Sequence, residues 1–166
     1  MTTKRIILAG TGHRPAGLWP DAKDPYAIDL LKKLVDDLIP ILKAIQPTGI
    51  ITGMALGFDT ALALAAIKAG IPFVAAIPFQ GQEAQWPQAS QDTYHAILKR
   101  AANIFAISTP GYAAFKMHLR NEWMVDHSTH IITCYNGDQK GGTASCLRYA
   151  EKQNRPIIHL PFPPTS

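Results

Sequence analysis

Ile50-Ile51-Thr52-Gly53-Met54-Ala55-Leu56-Gly57-Phe58-Asp59-Thr60, with the Ala/Leu run from Ala61 to Ala69, decides the fold. A short apolar, β-branched run stops at Gly53, and a second glycine follows four residues later. The alanine-rich segment has helical propensity and closes at Gly70, a residue suited to ending a helix. The stretch therefore reads as strand, glycine loop, helix. Such a loop leaves unpaired backbone N–H groups at a helix N-terminus, where an anion can sit. It is neither Gly-x-Gly-x-x-Gly nor a P-loop, since the Gly-Lys-Ser/Thr ending is missing. A tight turn that binds nothing is the competing reading.

Working outward, the same alternation repeats. Arg5 to Ala9 is a buried first strand, followed by the loop Gly10-Thr11-Gly12-His13-Arg14-Pro15. Residues 16–24 read as irregular. From Tyr26 to Ile45, Leu31, Leu34, Val35, Leu38, Leu42 and Ile45 keep helical spacing, with Pro40 on the polar side of a bent helix. Gly49–Thr52 and Pro72–Ile77 are the next two strands, the latter a continuous apolar run as in a parallel strand covered on both faces. A polar loop, 78–87, carries Gln80, Gln82, Glu83, Gln85 and Trp86. Then come a helix over 90–102, a strand over 103–107, a helix over 115–127 and a strand over 130–135. A glycine-rich turn (136–142), a helix (143–153) and a last strand (156–160) follow. The proline-rich tail, 161–166, is expected to be loosely held.

Strands alternating with helices of this length predict a Rossmann-like, three-layer α/β fold. Its mostly parallel sheet has about six strands, in one domain over residues 1–160. Ligands of such sheets bind beyond the strands' carboxyl ends, near the topological switch point. The glycine-rich loops after strands one, two and five are thus expected to converge.

The totals bound the function. The chain has 166 residues, 47% hydrophobic and 17% charged, with net charge +4 and pI near 9.1. No apolar run reaches the ~18 residues of a spanning helix. The apolar stretch after Lys4-Arg5 breaks at Gly10, too soon for a signal peptide, so a cytoplasmic protein is expected. Cys134 and Cys146 have no metal-ligand spacing, and the six histidines, His127 and His130 among them, have no partners at a matching step, so no metal is expected. No block of five Lys/Arg residues points to nucleic acid.

Thr11-Gly12-His13-Arg14-Pro15, Thr52-Gly53-Met54-Ala55-Leu56-Gly57-Phe58-Asp59, and Pro78-Phe79 with Gln82–Trp86 resemble a bacterial and phage branch of the SLOG superfamily. Arg120-Asn121 through Asp126 adds to the likeness, which spans roughly Ile6 to Ile158. The superfamily includes DNA-processing protein A and the lonely-guy phosphoribohydrolases. It implies a Rossmann-like fold, a nucleotide or nucleotide-derived ligand, and a homodimer or larger assembly. The phosphoribohydrolase pattern Met-His-x-Arg-Lys-x-x-Met is matched by Met117, His118, Arg120 and Met124, but Asn121 replaces the lysine. Aligning their Gly-Gly-x-Gly-Thr-x-x-Glu on Gly142-Thr143 places Cys146 where they carry the catalytic glutamate. A thiol is neutral near pH 7 unless its pKa is lowered, so it does not replace that carboxylate.

The expected reading is therefore a protein that binds a nucleotide or nucleotide derivative, with no catalytic residue assigned and the missing glutamate speaking against turnover. Phosphate would be held by the backbone of Gly53, Gly57, Gly141 and Gly142 and by the Thr143 hydroxyl, with Gly10, Thr11, Gly12 and Met54 as further ligand-binding candidates. His13 belongs to the same loops. Arg14 and Arg120 would grip phosphate oxygens bidentately, or pair with Asp59 or Asp126. Asp59 caps its helix or binds a ribose; Asn121 bonds the ligand or braces a loop. Trp86 stacks on a base or covers the core edge. Cys146 packs in the interior or serves as a nucleophile. No cofactor is expected, a nucleotide being ligand or substrate. A phosphoribohydrolase-like enzyme and a single-stranded DNA-binding module are the alternatives.

Overall fold

Each central strand alternates its side chains between two helical layers. Leu8, Ile50, Ala75 and Ile132 face one apolar cluster, while Ala9, Ile51, Ala76 and Ile131 face another. The computed structural model describes residues 4–164. Its strands are β1 (Ile7–Gly12), β2 (Gly49–Thr52), β3 (Phe73–Ile77), β4 (Asn103–Ala106), β5 (His130–Cys134) and β6 (Ile157–His159). All pair in parallel, in the order β4-β3-β2-β1-β5-β6. The helices are α1 (Pro15–Leu18), α2 (Ile28–Ile45), α3 (Phe58–Ala69), α4 (Gln88–Leu98), α5 (Ala114–Asp126) and α6 (Gly142–Lys152).

This is the Rossmann-like α/β fold expected. The chain winds outward from β1 to β4, then returns to place β5 on the other side of β1. The switch point lies between β1 and β5, and the crevice beyond their carboxyl ends is where such folds bind ligands.

α3 is the deepest helix: all of Phe58–Ala66 except Leu64 is buried. It rests on two glycines of β1. A Cβ on Gly10 would come 2.2 Å from Leu62 Cδ2, and one on Gly12 would come 2.5 Å from the Phe58 ring. The sequence reading put Gly10, Thr11 and Gly12 in a loop, whereas β1 runs through all three. The glycines are there for helix–strand contact, and the loop begins only at His13.

Other departures are smaller. Residues 15–18 form a short helix where irregular chain was expected. α2 starts at Ile28 and runs unbroken past the exposed Pro40. β4 is a fully exposed edge strand. The proline-rich segment is held down as far as it is described: Phe162 meets His13 edge-on, Pro164 is buried, and Pro161 O lies 3.5 Å from Cys134 Sγ. Thr165 and Ser166 lie outside the described residues.

α5 reverses the usual polarity of a surface helix. Its inner face carries Lys116, Arg120 and Met124, while Phe115 (60% exposed) and Leu119 (44%) point outward. Trp123 is half-buried between Phe105 and His127, its ring 4.1 Å from that of His127. No helix of the described residues is long and apolar enough to cross a membrane.

Candidate functional site

The end of β1, the loop after β2, the middle of α5 and the start of α6 enclose a cavity of about 300 Å³. It sits over the carboxyl end of β1, beside the loop that follows β2. β1 and its loop contribute Gly10 through Arg14, α5 contributes Arg120 and Asn121, and α6 contributes Gly142 and Thr143. Asp59 reaches it from the first turn of α3. Most residues singled out in the sequence thus meet in one place.

Others stay behind the wall. Met54 is buried in the core with φ of +61°, and Gly53 and Gly57 are buried outside the cavity's lining, Gly57 beside a separate pocket with Pro15, Trp19 and Tyr26. A Cβ on Gly53 would lie 2.6 Å from Arg120 Nη1 and 3.0 Å from Asp59 Oδ2. Gly53 is therefore the slot across which the Asp59 and Arg120 side chains face each other. Gly57 has φ of +88°, and a Cβ there would strike the backbone of His13 and Arg14 at 2.6–2.9 Å. Its freedom lets two loops of the chain pass each other.

Arg120 is only 6% exposed and its guanidinium is turned inward. Nη1 donates to Gly53 O at 2.7 Å and towards Ala76 O at 3.4 Å, while Nε donates to Asn121 Oδ1 at 2.9 Å. Asn121 thus braces Arg120. Asp126 is engaged elsewhere, accepting from Tyr149 Oη at 2.8 Å. Asp59 does not cap α3, whose N-terminus has no side-chain cap; its Oδ2 accepts instead from the Ala55 N–H of the preceding loop at 3.2 Å. Burial pushes its carboxyl up to about 6, against the opposing pull of Arg120, the Ala55 N–H and Arg14. Burial likewise lowers the Arg120 pKa, and Asp59 works the other way.

Cys146 is buried on α6. Burial raises its thiol to about 11, so at neutral pH it is protonated and a poor nucleophile. His13 stacks on Tyr135, and its Nε2 accepts the Asn136 N–H at 3.2 Å, leaving the proton of the neutral ring on Nδ1. Burial holds its pKa below the usual value. His127 and His130 are tied locally, to Trp123 O and Thr129 Oγ1. Among the described residues no three His, Cys, Asp or Glu side chains gather to hold a metal.

The anion-attracting features are Arg14 and α6. Arg14 is exposed at the cavity rim and, among the described residues, its side chain makes no hydrogen bond or ion pair. α6 begins after Gly141, φ +98°, with no side-chain cap and no acidic residue in its first turn. Its orphan N–H groups are free for an anion.

A second cavity, about 550 Å³, adjoins the first through Arg14 and Met117. Its walls include Phe79, Gln82, Trp86 and Tyr112. Trp86 is half-buried, edge-on to Tyr94 at 5.3 Å. Sequence reasoning missed Phe79 and Tyr112 as site residues. An aromatic after a strand and one beside a glycine are the signals that mark them.

Comparison with known proteins fits this architecture. The YpsA family model, described as the YspA SLOG family, matches residues 8–160. The SPbeta prophage-derived protein YoqJ of Bacillus subtilis (strain 168) is 32% identical over 146 residues, covering 78% of this chain and 85% of YoqJ. The UPF0398 protein YpsA of the same strain is 27% identical over 154 residues, covering 89% and 85%. Among solved structures, DNA processing protein A of Streptococcus pneumoniae superposes with a TM-score of 0.66 at 20% identity, over 95% of this chain but only 50% of that one. The molybdenum cofactor binding protein of Rippkaea orientalis gives 0.60 at 17% identity, over 95% and 77%. These two share the fold. The family match, which takes in β1 with its loop, the α3 and α6 entries and the whole of α5, settles the descent: the chain belongs to the YspA SLOG family.

Proposed function

We propose that this protein binds a nucleotide or nucleotide derivative, its phosphate seated over the carboxyl end of β1. One observation carries the reading: the uncapped N-terminus of α6 and the unpaired guanidinium of Arg14 line the same cavity. Helix dipole, orphan N–H groups and a full positive charge favour a phosphate there. Arg120 acts one step back, fixing Gly53 and Asn121. The related fold of a single-stranded DNA-binding protein, DNA processing protein A of Helicobacter pylori (TM-score 0.62, 21% identity), makes nucleic acid the alternative ligand. Nothing in the cavity's size calls for a polymer.

The test is thermal stabilisation by nucleoside monophosphates, ribose 5-phosphate and a single-stranded oligonucleotide. A ligand that binds only the folded chain raises the melting temperature with concentration. The monophosphates are expected to do so, and Arg14→Ala to weaken them about tenfold or more, since a charge-assisted contact contributes ~1.5–3 kcal/mol. No shift at millimolar concentration overturns the reading. Binding of the oligonucleotide alone, steeply salt-dependent, replaces it with the DNA reading.

A second reading has one observation in its favour. Asp59, a carboxyl raised to about 6 beside Arg120 at the cavity, has the character of a catalytic acid. Release of free base from a monophosphate, lost in Asp59→Asn, would establish it.

Self-association through β4 and α5 is part of the proposal. Phe115, Leu119 and Trp123 form one stripe on α5, and Phe105 of the exposed edge strand continues it. Light scattering is expected to show a dimer or larger species, and Phe115→Asp with Leu119→Asp to reduce it to a monomer.

A further inference from the structure

Two buried groups of opposite charge line the cavity over β1 without meeting. Asp59 is 8% exposed and Arg120 6%. Asp59 Oδ2 and Arg120 Nη1 flank Gly53, yet the two side chains form no ion pair among the described residues. Each is anchored by part of its head group. Asp59 Oδ2 accepts from Ala55 N–H, while Arg120 Nη1 and Nε donate to Gly53 O and Asn121 Oδ1. The other atoms, Asp59 Oδ1 and Arg120 Nη2, make no hydrogen bond among the described residues, and both keep access to the cavity.

Desolvating opposite charges without pairing them is costly, and free side chains would close on each other. Here the anchors hold them open. The result is a notch with an acceptor on one side and a donor on the other, in the same cavity as Arg14 and the start of α6. What fills it must donate to a carboxylate and accept from a guanidinium. A cis-diol does both: one hydroxyl donates to Asp59 Oδ1 and its neighbour accepts from Arg120 Nη2. The Asp59 carboxyl titrates at about 6, so at pH 7.5 it is mostly ionised and the first of these bonds is charge-assisted. In a nucleotide the sugar is joined directly to the phosphate, so a diol notch and a phosphate seat in one cavity suit a single ligand. The adjoining cavity, past Arg14 and Met117, is left for the base.

We infer that the notch between Asp59 and Arg120 is a sugar subsite that takes the 2′,3′-diol of a ribonucleotide. Arg120 stands back from the phosphate but meets the sugar. The inference rests on the phosphate reading of this cavity and goes further by naming the sugar and the pair of residues that reads it. It also sets the ligand apart from nucleic acid, whose internal residues carry no free diol.

The test compares AMP, GMP, CMP and UMP with their 2′,3′-dideoxy counterparts, which keep phosphate and base, in calorimetric titrations at pH 7.5. In the wild type at least one ribonucleotide is expected to bind about tenfold or more tightly than its dideoxy form, because a site built around hydroxyls is left with unpaired buried groups when they are missing. Asp59→Asn supplies the matching variant. Ala55 N–H holds the amide oxygen there, so the NH2 group takes the free position and cannot accept a hydroxyl proton. The substitution should close most of the gap and leave the dideoxy affinity unchanged. Equal binding of every ribonucleotide and its dideoxy form overturns the notch while sparing the phosphate reading, and this comparison needs no variant. A gap undiminished in Asp59→Asn overturns the role of the carboxylate. So does a loss shared equally by the ribo and dideoxy forms, which is what a merely structural Asp59 would give. If none of these ligands binds, the phosphate reading falls and takes this inference with it.

Discussion

Two helices enter from glycine loops at the same edge of the sheet, and they are used in opposite ways. α3 begins at Gly57 and is filled by the protein itself: Phe58 N–H donates to His13 O, and the Asp59 carboxylate lies in the first turn. α6 begins at Gly141 and is left open, with exposed glycines, no cap and no acid. A helix N-terminus attracts negative charge wherever it occurs. What differs is whether the chain supplies that charge or leaves it to a ligand. The α3 entry, the more conspicuous in sequence, is a structural joint; the α6 entry is the binding end.

The hardest way to break this contrast is at Gly57. In Gly57→Val the side chain must adopt φ near +88° and overlap the backbone of His13 and Arg14. Strain alone contributes up to ~3 kcal/mol at such a position, and the overlap adds to it. The variant is expected to lose most of its folded population in denaturant titration. By contrast, a Cβ at Gly142 meets nothing within 4 Å, and Gly142→Ala should be within about 1 kcal/mol of wild type. Equal stability of Gly57→Val and Gly142→Ala would mean the two loops do not differ.

Arg120 comes next. It was read in the sequence as a phosphate-gripping residue; in the fold Nη1 and Nε bond Gly53, Ala76 and Asn121, while Nη2 makes no hydrogen bond among the described residues and Arg120 lines the cavity. Arg120→Ala removes the buried cation that donates to Gly53 O and whose charge opposes the desolvation of Asp59, and a hydrogen bond from a charged group contributes about 1.5–3 kcal/mol. Loss of stability is expected to exceed any loss of affinity measured at a temperature where the variant is folded. A variant as stable as wild type, but unable to bind, would return Arg120 to the ligand.

These outcomes bear on what the sequence could show. The strands and their alternation with helices follow from β-branched runs and turn residues, local signals that need no partner; the order β4-β3-β2-β1-β5-β6 does not, because tertiary packing sets it. Gly10 and Gly12 were misplaced because a glycine looks the same in a loop and under a helix. Only Leu62 and Phe58, some fifty positions later, tell the cases apart. The inward turn of Arg120 was hidden for a related reason. Helical spacing identified α5, but the burial of Lys116 and Arg120 on its inner face depends on carbonyls from three other segments. Asp59 was legible as a first-turn carboxylate from its place after Gly57, but the bond it makes, to Ala55 N–H in the loop before the helix, was not.

A subtler effect should appear in the pH dependence of stability. Asp59 titrates near 6 in the fold against an ordinary 3.8, so between those values the folded chain holds a proton that the unfolded chain has lost. Stability from this group rises as pH falls through 6 and levels off below 3.8. His13, with a lowered pKa, acts in the opposite direction, but it is present in both proteins of a comparison. Wild type minus Asp59→Asn is therefore expected to grow more favourable from pH 7.5 to pH 4.5 in urea titrations. A flat difference would show that Asp59 is not the buried acid that closes the α3 entry.

The smallest effect on stability gives the sharpest test, because stability and binding should move in opposite directions. Gly142→Asp places a carboxylate at the open start of α6, much as Asp59 stands at the start of α3. The position is exposed, its φ is not in the left-handed region, and a Cβ there meets no neighbour. The new charge is expected to favour the helix dipole by roughly 0.3–1 kcal/mol, and removing a glycine from the helix adds a few tenths. The melting temperature should rise slightly, while stabilisation by nucleoside monophosphates disappears because the anion's place is taken. If Gly142→Asp binds nucleotides like wild type, the phosphate is not held at α6. The open end would then be merely uncapped, and the difference between the two helix entries would carry no function.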